Sequence, residues 1–480
     1  MLVNEILPVA PFLANRYLSR QQTKRVASKG EVNFSKAIEG LKKYLENKND
    51  TSSMAYLERK KAAIIGEPAA KQFFIQMIHE FLRDSPQYQN TRYPSYYPNL
   101  QEALFQHHLG FGPMSVWFAN PTESALVNGT QILFGVKGRN TKVLQPFAYD
   151  SITQVEKLIR SLTLKDNSQQ LDVTNNWTQV DMYDGTRVTI FQPPLSETYV
   201  LIFRQYLFKE YTFEHEAELR TIPSDAVQWF KYLSQLMLST LTTGIRGSGK
   251  TTMIKVIAGA RNPQYGVVTA EGGTFEAHMK RDFPERAAYI IALKTELDQM
   301  DDLFPAFVRA DAHYIMIPEI RSREADLAVK SRERGNGWLG SYHSPYVYNI
   351  PLEFADLLLE DQPNRNHHSA YVRAAQAIDV AITMWEDPSG RKIVTGVYAY
   401  EYEPETKSFS VTTWMKYNRT KDNWTFHSEM PLYMSERLQD TYPEVLELFL
   451  NEFQHLAEKY PFTGQAVRTV QIGGNPCFQL

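Results

Sequence analysis

The sequence predicts an α/β protein built around a parallel sheet, on three observations. Between about residues 224 and 320, apolar strand-like runs alternate with helical stretches, the pattern of a parallel sheet covered on both faces. One of those runs leads into Gly244-Ile245-Arg246-Gly247-Ser248-Gly249-Lys250-Thr251, which fits G-x-x-x-x-G-K-[ST] and is followed by a helical pattern. The length of 480 residues is too great for one compact core and implies two or three domains.

Taken in chain order, residues 1–110 read as a basic, mainly helical extension and linker. The first fifty residues carry nine Lys/Arg against five Asp/Glu, a local charge of about +4 that suits either a docking surface or a solvated helix face. Apolar positions recur at helical spacing in Met54–Ile65 and Phe73–Leu82, and the Tyr/Pro/Asn cluster Gln87–Asn99 breaks the pattern. Residues 111–210 read as a smaller α/β domain. Ala125–Asn128 and Gln131–Val136 flank an Asn-Gly turn, a hairpin signal. Ser151–Leu164 reads as a helix, Gln179–Met182 and Thr186–Phe191 as strands around Tyr183-Asp184-Gly185, and Val200–Arg204 as a further strand.

Residues 211–420 carry the parallel-sheet pattern. Ser224–Ser239 reads as a helix running into the strand Leu236–Thr243, and Thr251–Ala258 as the helix after the glycine loop. Strand-like runs follow at Gly266–Ala270, Ala288–Leu293 and Tyr314–Ile317, then at Asp379–Met384, Arg391–Tyr402 and Ser408–Tyr417. Residues 421–480 form a C-terminal segment whose helix is predicted over Tyr442–Lys459.

The glycine loop carries the chemistry. Its glycines let successive N–H groups point inward as an anion nest, and the following helix N-terminus adds its dipole. Lys250 then reaches the β- and γ-phosphates of a nucleotide, and Thr251 ligates Mg²⁺. Gly244 through Thr252 are therefore the predicted nucleotide-binding residues. Hydrolysis also needs a group that activates water. Tyr314–Glu319 is an apolar strand ending in an acid, and Glu319 is predicted to orient or deprotonate the water. Glu271 ends another apolar strand and is predicted near the metal, because strand C-termini line the ligand crevice of a parallel sheet. His343 follows the glycine-rich stretch Gly335–Gly337. Arg187 and Arg204 are candidates to bring positive charge to the nucleotide. His107-His108 and His367-His368 lack companions at metal-ligand spacing and read as surface residues.

Composition limits the alternatives. Net charge is −3, so the chain carries no overall nucleic-acid footprint, and no direct nucleic acid is expected as a partner. Cys477 is the single cysteine, which forbids an internal disulfide and suits a reducing compartment. No apolar run reaches membrane-spanning length and Met1–Lys24 lacks signal-peptide order, so a cytoplasmic protein is expected, attached to a membrane through a partner if at all.

The order of these pieces resembles the type II/IV secretion ATPase family, motors of pili and secretion machines that include the tight-adherence pilus ATPases. The P-loop is Gly244–Thr252, the Asp box falls on Val267-Val268-Thr269-Ala270-Glu271, Walker B on Tyr314–Arg321, and the His box on Gly340–His343. Asn120–Gly129, Asp184–Val188 with Pro193-Pro194, and Ile202-Phe203-Arg204 resemble the family's preceding domain. Ala377–Val380 and Gly390–Thr395 resemble its strand hairpin, so the resemblance covers roughly residues 115–420. It implies a RecA-like P-loop NTPase domain preceded by a smaller α/β domain and a helical N-terminal extension. It implies a Mg²⁺-dependent ATPase working as a homo-oligomer, a hexamer, with a membrane platform protein at the cytoplasmic face. Arg187, Arg204, Arg309 and Arg321 would neutralise charge on the γ-phosphoryl, and His343 would report that phosphate to a subunit interface. The sequence departs from the family pattern where Gly272 follows Glu271, where Pro318 precedes Glu319, in the single Arg309 before Walker B, and at Asn336. Two rival expectations stay open: a nucleotide-gated scaffold with little hydrolysis, and a P-loop motor acting on nucleic acid.

Overall fold

A computed structural model describes residues 34–48, 53–136, 141–163, 171, 175–205, 210–272, 275–295, 299, 305, 307 and 309–472. The basic stretch before residue 34 and Cys477 lie outside them. The chain forms two compact units, 1–207 and 208–480.

The first unit opens with helices α1 (Phe34–Lys48), α2 (Met54–Ile64), α3 (Pro68–Asp84), α4 (Leu100–His108) and α5 (Ser115–Ala119). Gly66, at φ +98°, breaks the helical run between α2 and α3, and Pro68 starts α3 where a missing N–H costs nothing. Leu41, Phe74, Ile78, Phe81 and Leu104 from three of these helices share one core. Then come β1 (Ser124–Asn128), β2 (Gln131–Gly135), β3 (Lys142–Ala148), α6 (Ile152–Thr163), β4 (Trp177–Asp181), β5 (Arg187–Phe191) and β6 (Val200–Arg204). The strands make an antiparallel sheet in the order β3-β2-β1-β6-β5-β4. The Asn-Gly turn sits where the sequence puts it, with Gly129 at φ +58° between β1 and β2. The second turn is fixed by Asp184, whose Oδ1 accepts the Thr186 N–H at 2.9 Å, and by Gly185 at φ +81°.

The second unit comprises α7 (Phe213–Glu218), α8 (Val227–Gln235), β7 (Thr240–Gly244), α9 (Lys250–Ala260), β8 (Val267–Gly272), α10 (Met279–Asp282), β9 (Ile290–Thr295), β10 (Tyr314–Ile320), α11 (Glu324–Glu333) and β11 (Gly337–Tyr342). It continues through α12 (Ile350–Asp361), α13 (His367–Ala377), β12 (Val380–Glu386), β13 (Lys392–Glu403), β14 (Ser408–Asn418), β15 (Asn423–Phe426), α14 (Leu432–Thr441), α15 (Pro443–Lys459) and β16 (Val467–Gln471). Six strands run parallel in the order β12-β7-β11-β10-β8-β9, and β13, β14 and β15 extend the sheet antiparallel from β12. The parallel strands are buried on both faces, as a doubly covered sheet requires.

Alternation along each strand feeds two cores. Tyr314 and Met316 of β10 and Val380 and Ile382 of β12 face the core shared with Trp229, Ile254, Ile257, Phe449 and Phe453. Ile315, Ile317 and Ala381 face the opposite core, with Ala328, Phe354 and Ala374. The final helix α15 belongs to the first of these. The Trp229 ring of α8 lies 5.7 Å from that of Phe449 and 5.1 Å from that of Phe453. Among the described residues no helix is long and apolar enough to cross a membrane.

Candidate nucleotide site

The site forms at the C-terminal end of β7, flanked by β11 and β12, while the next strand in sequence, β8, lies beyond β11 and β10. Such a change of direction in strand order opens a crevice beyond the strand ends. Three glycines curl the loop through it: Gly244 at φ +145°, Gly247 at +83° and Gly249 at +96°, the last capping α9. Gly244 has a second reason to be glycine. A Cβ there would stand 2.2 Å from the Met384 carbonyl oxygen of β12, which is fixed backbone. Gly244→Ala is therefore expected to cost about 2 kcal/mol or more of stability and to abolish nucleotide binding. A denaturant midpoint and a binding isotherm close to those of the native chain would refute this.

Lys250 begins α9 and is buried, 6% exposed. Its Nζ donates to the carbonyls of Gly244 and Ile245, both at 3.0 Å, and lies 3.2 Å from His343 Nδ1. Burial pushes its pKa down to about 8, and nearby Arg246 pushes the same way against the pull of Glu319. A lysine held at such a cost suits a site awaiting an anion. Ser248 Oγ, in the same loop, is fully buried with no hydrogen-bond partner, a donor that a phosphate oxygen would satisfy.

From Lys250 a line of contacts runs outward. His343 Nε2 is 3.3 Å from Glu319 Oε1, and the other oxygen of Glu319 accepts from Arg321. With Nδ1 facing an ammonium and Nε2 facing a carboxylate, the imidazole is the neutral Nε2–H tautomer. Burial and Lys250 lower its pKa, outweighing Glu319. Burial of Glu319 works to raise its pKa, but Arg321, His343 and Lys250 prevail and hold the carboxyl below its usual range.

Local sequence explains why these side chains meet. Pro318 cannot donate to the ladder, and β10 bulges against β11 between Ile317 and Ile320. Ser341 Oγ donates to the Pro318 carbonyl at 2.6 Å, so the bulge that carries Glu319 is tied to β11. His343 is steadied from the other side. Thr243 Oγ1 donates to the Ser344 carbonyl at 2.7 Å and accepts the Ser344 N–H at 3.1 Å. These threonine and serine anchors carry no sequence signal, because they look like ordinary strand and turn residues. Glu386 and Lys392 were missed as well. They form a 2.7 Å ion pair on the β12–β13 hairpin beside Gly247 and Gly249.

The remaining candidates fall elsewhere. Glu271 is 3% exposed, and its carboxylate is taken up by its own loop. It accepts from Thr269 Oγ1 at 3.1 Å, from the Ala277 N–H at 2.8 Å and from the Glu276 N–H. Burial pushes its pKa up against those bonds. The loop it orders brings Glu276 to within 3.8 Å of Arg321, so Glu271 adjoins the site through its loop. Arg309 is exposed and donates to the Pro305 carbonyl at 3.5 Å. Arg187 and Arg204 belong to the first unit, directly opposite each other on β5 and β6, with Arg187 Nε 3.7 Å from Asp181. Among the described residues no three His, Cys, Asp or Glu cluster to hold a metal. The residues present fit Mg²⁺ only alongside phosphate oxygens, with Thr251 on the first turn of α9 as the protein donor.

A parallel sheet whose inner strand ends in a glycine-curled loop over a buried lysine defines a RecA-like P-loop fold, here preceded by a smaller α/β unit with N-terminal helices. Residues 186–363 match the model of the type II/IV secretion system protein family. Solved structures are similar to it at low identity. The VirB11 ATPase from the Brucella suis type IV secretion system, in complex with sulphate, is 16% identical, with 58% of this chain and 97% of that one covered and a TM-score of 0.29. The pilus retraction motor PilT with bound ADP is 15% identical, with 72% and 92% covered and a TM-score of 0.43. The Yersinia pseudotuberculosis ATPase DotB is 14% identical, with 77% and 89% covered and a TM-score of 0.45. No curated protein matches the chain.

Proposed function

We propose that this chain is an ATP-hydrolysing motor that powers pilus assembly or protein secretion, working as a homo-oligomeric ring on a membrane platform protein at the cytoplasmic face. By resemblance to that family, the proposed ring would be a hexamer and the machine tight-adherence-like. The observation that carries the reading is the unbroken line Lys250–His343–Glu319–Arg321 at the mouth of the glycine loop. Bound ATP supplies the phosphoanhydride bond, and Mg²⁺ supplies charge that neutralises its phosphates.

The chain's own residues do the rest. The loop amides from Gly244 to Thr252 and Lys250 hold phosphate, and Thr251 presents its hydroxyl to the metal. Ionised Glu319 accepts the proton of the attacking water. Arg321 sits two residues away to balance charge on the γ-phosphoryl, and Arg187, Arg204 and Arg309 are further candidates for that charge. His343, bridging Lys250 and Glu319, changes partners when phosphate arrives. Glu271 contributes through the loop that carries Glu276. Specific Mg²⁺-ATPase activity is expected to rise with protein concentration and to vanish in Lys250→Ala. Turnover independent of concentration would remove the assembling ring.

One observation favours a second reading, a nucleotide-gated scaffold that binds ATP and hydrolyses it little. Glu319 is engaged by both Arg321 and His343, and Glu271 by its loop, so both carboxylates are occupied. Intact ATP binding with negligible turnover at every concentration would select that reading. A motor acting on nucleic acid is the weaker alternative for a chain of net charge −3. Stimulation of the ATPase by DNA would revive it.

A further inference from the structure

At the other end of β7, about 17 Å from the glycine loop by strand rise, the second unit contains a cleft of about 430 Å³. Its floor is Asp379, 5% exposed, just before β12. One oxygen of Asp379 accepts the Ser239 N–H at 2.9 Å. The other takes two guanidinium groups at once, Arg332 Nη2 at 3.2 Å and Arg437 Nη2 at 2.8 Å.

Two arginines share the one Asp379 carboxylate, a local excess of one positive charge that Glu401 offsets elsewhere in the lining, so the cleft as a whole is balanced. The other acids of the cleft are committed. Glu333 is paired with Arg373, and Glu401 Oε1 accepts the Met434 N–H at 2.9 Å and so caps the start of α14. Arg332 Nε is buried with no hydrogen-bond partner, a donor still wanting an acceptor. The lining also includes apolar and aromatic side chains, Tyr402, Met434 and the half-exposed Tyr433. The volume lies in the range of small-molecule sites, and a few convergent polar groups in an apolar wall are their usual composition.

We propose that this cleft is a second ligand site, separate from the nucleotide loop, for a small molecule bearing an anionic oxygen head on an aromatic body. Arg332 and Arg437 take the head, since a guanidinium fork matches carboxylate and phosphate oxygens alike. Tyr402, Tyr433 and Met434 pack on the body. Phenyl phosphate and benzoate carry the two head chemistries on the same ring and serve as probes.

Each is titrated into the full chain by calorimetry with Mg-ADP saturating the glycine loop. At least one is expected to bind with a Kd of about 1 mM or tighter. Tighter binding of phenyl phosphate identifies a phosphate ester as the ligand, and tighter binding of benzoate a carboxylic acid. Arg437→Ala should weaken binding by about tenfold or more, and Arg437→Lys by less than that. Lys250→Ala, titrated without nucleotide, should leave it unchanged. Should Arg437→Ala fail to fold, Tyr433→Ala keeps the test alive, because an exposed ring is dispensable to the core; it should weaken binding by about threefold or more. Three results overturn the site: no binding of either probe at about 10 mM, binding that Lys250→Ala abolishes, or binding unchanged in both cleft variants.

Discussion

Glu319→Gln is expected to lower ATP turnover by about 10²–10⁴-fold while ATP affinity stays within about threefold. The size follows from what the substitution removes. Glutamine keeps the shape of the side chain and an oxygen for Arg321, but it cannot accept a proton. Wild-type Glu319 can, because Arg321, His343 and Lys250 keep the carboxyl below its ordinary pKa and therefore ionised at neutral pH. Its position is set by backbone that the substitution leaves alone, the bulge at Pro318 fastened by Ser341. Affinity should survive because phosphate is held by the loop and Lys250, not by an anion. Single-turnover hydrolysis and an equilibrium Kd, measured on the same preparation, separate the two effects. Turnover within about tenfold of native would pass the proton-accepting role to another group. A matching collapse of affinity would instead mean that Glu319 mainly holds the loop together.

How far the sequence reveals this molecule depends on whether a residue's role is local. The glycine loop is legible because backbone curvature demands glycine at Gly244, Gly247 and Gly249 whatever the surroundings. The parallel strands are legible because burial on both faces leaves nearly unbroken apolar runs, as in Tyr314–Ile317. Edge elements are much less so. The strand Lys142–Ala148 contains Pro146 and is largely exposed, and Val467–Gln471 is exposed and partly charged, so neither reads as a strand. One boundary shifts for a steric reason. The run from Leu236 reads as strand, but Met237 takes φ +55°, and the ladder begins at Thr240. At the site, Glu319 on β10 and His343, the residue after β11, meet because those strands are neighbours, which spacing along the chain cannot report. Glu271 shows the converse: an acid at a strand end looks the same in sequence whether it faces a ligand or accepts amides from its own returning loop.

Lys250→Ala is expected to abolish the gain in thermal stability that ATP confers, without lowering the stability of the nucleotide-free chain. The first half follows from mass action: a ligand stabilises by its occupancy of the native state, and about a hundredfold excess over Kd is worth about 2.7 kcal/mol. Removing the buried cation that meets the phosphates removes that occupancy. The second half follows from the cost of keeping Lys250 charged. Its pKa is driven down to about 8 by burial, so below that pH the folded chain carries a penalty that alanine does not. The sign is opposite to that of a lysine gaining a partner. The native state binds fewer protons than the unfolded chain between about pH 8 and about 10.4, so the penalty is relieved as pH rises through that window. Nucleotide reverses the balance, because a phosphate beside Lys250 restores its charge and draws a proton in. ATP affinity should therefore fall by up to about tenfold per pH unit above about 8. The other groups facing Lys250 are His343, Glu319 and Arg246; the first two have pKa values held below their ordinary ranges. Lys250→Arg keeps a cation that does not titrate, and it should flatten the slope. A flat profile in the native chain, or a steep one in Lys250→Arg, would place the titrating group elsewhere.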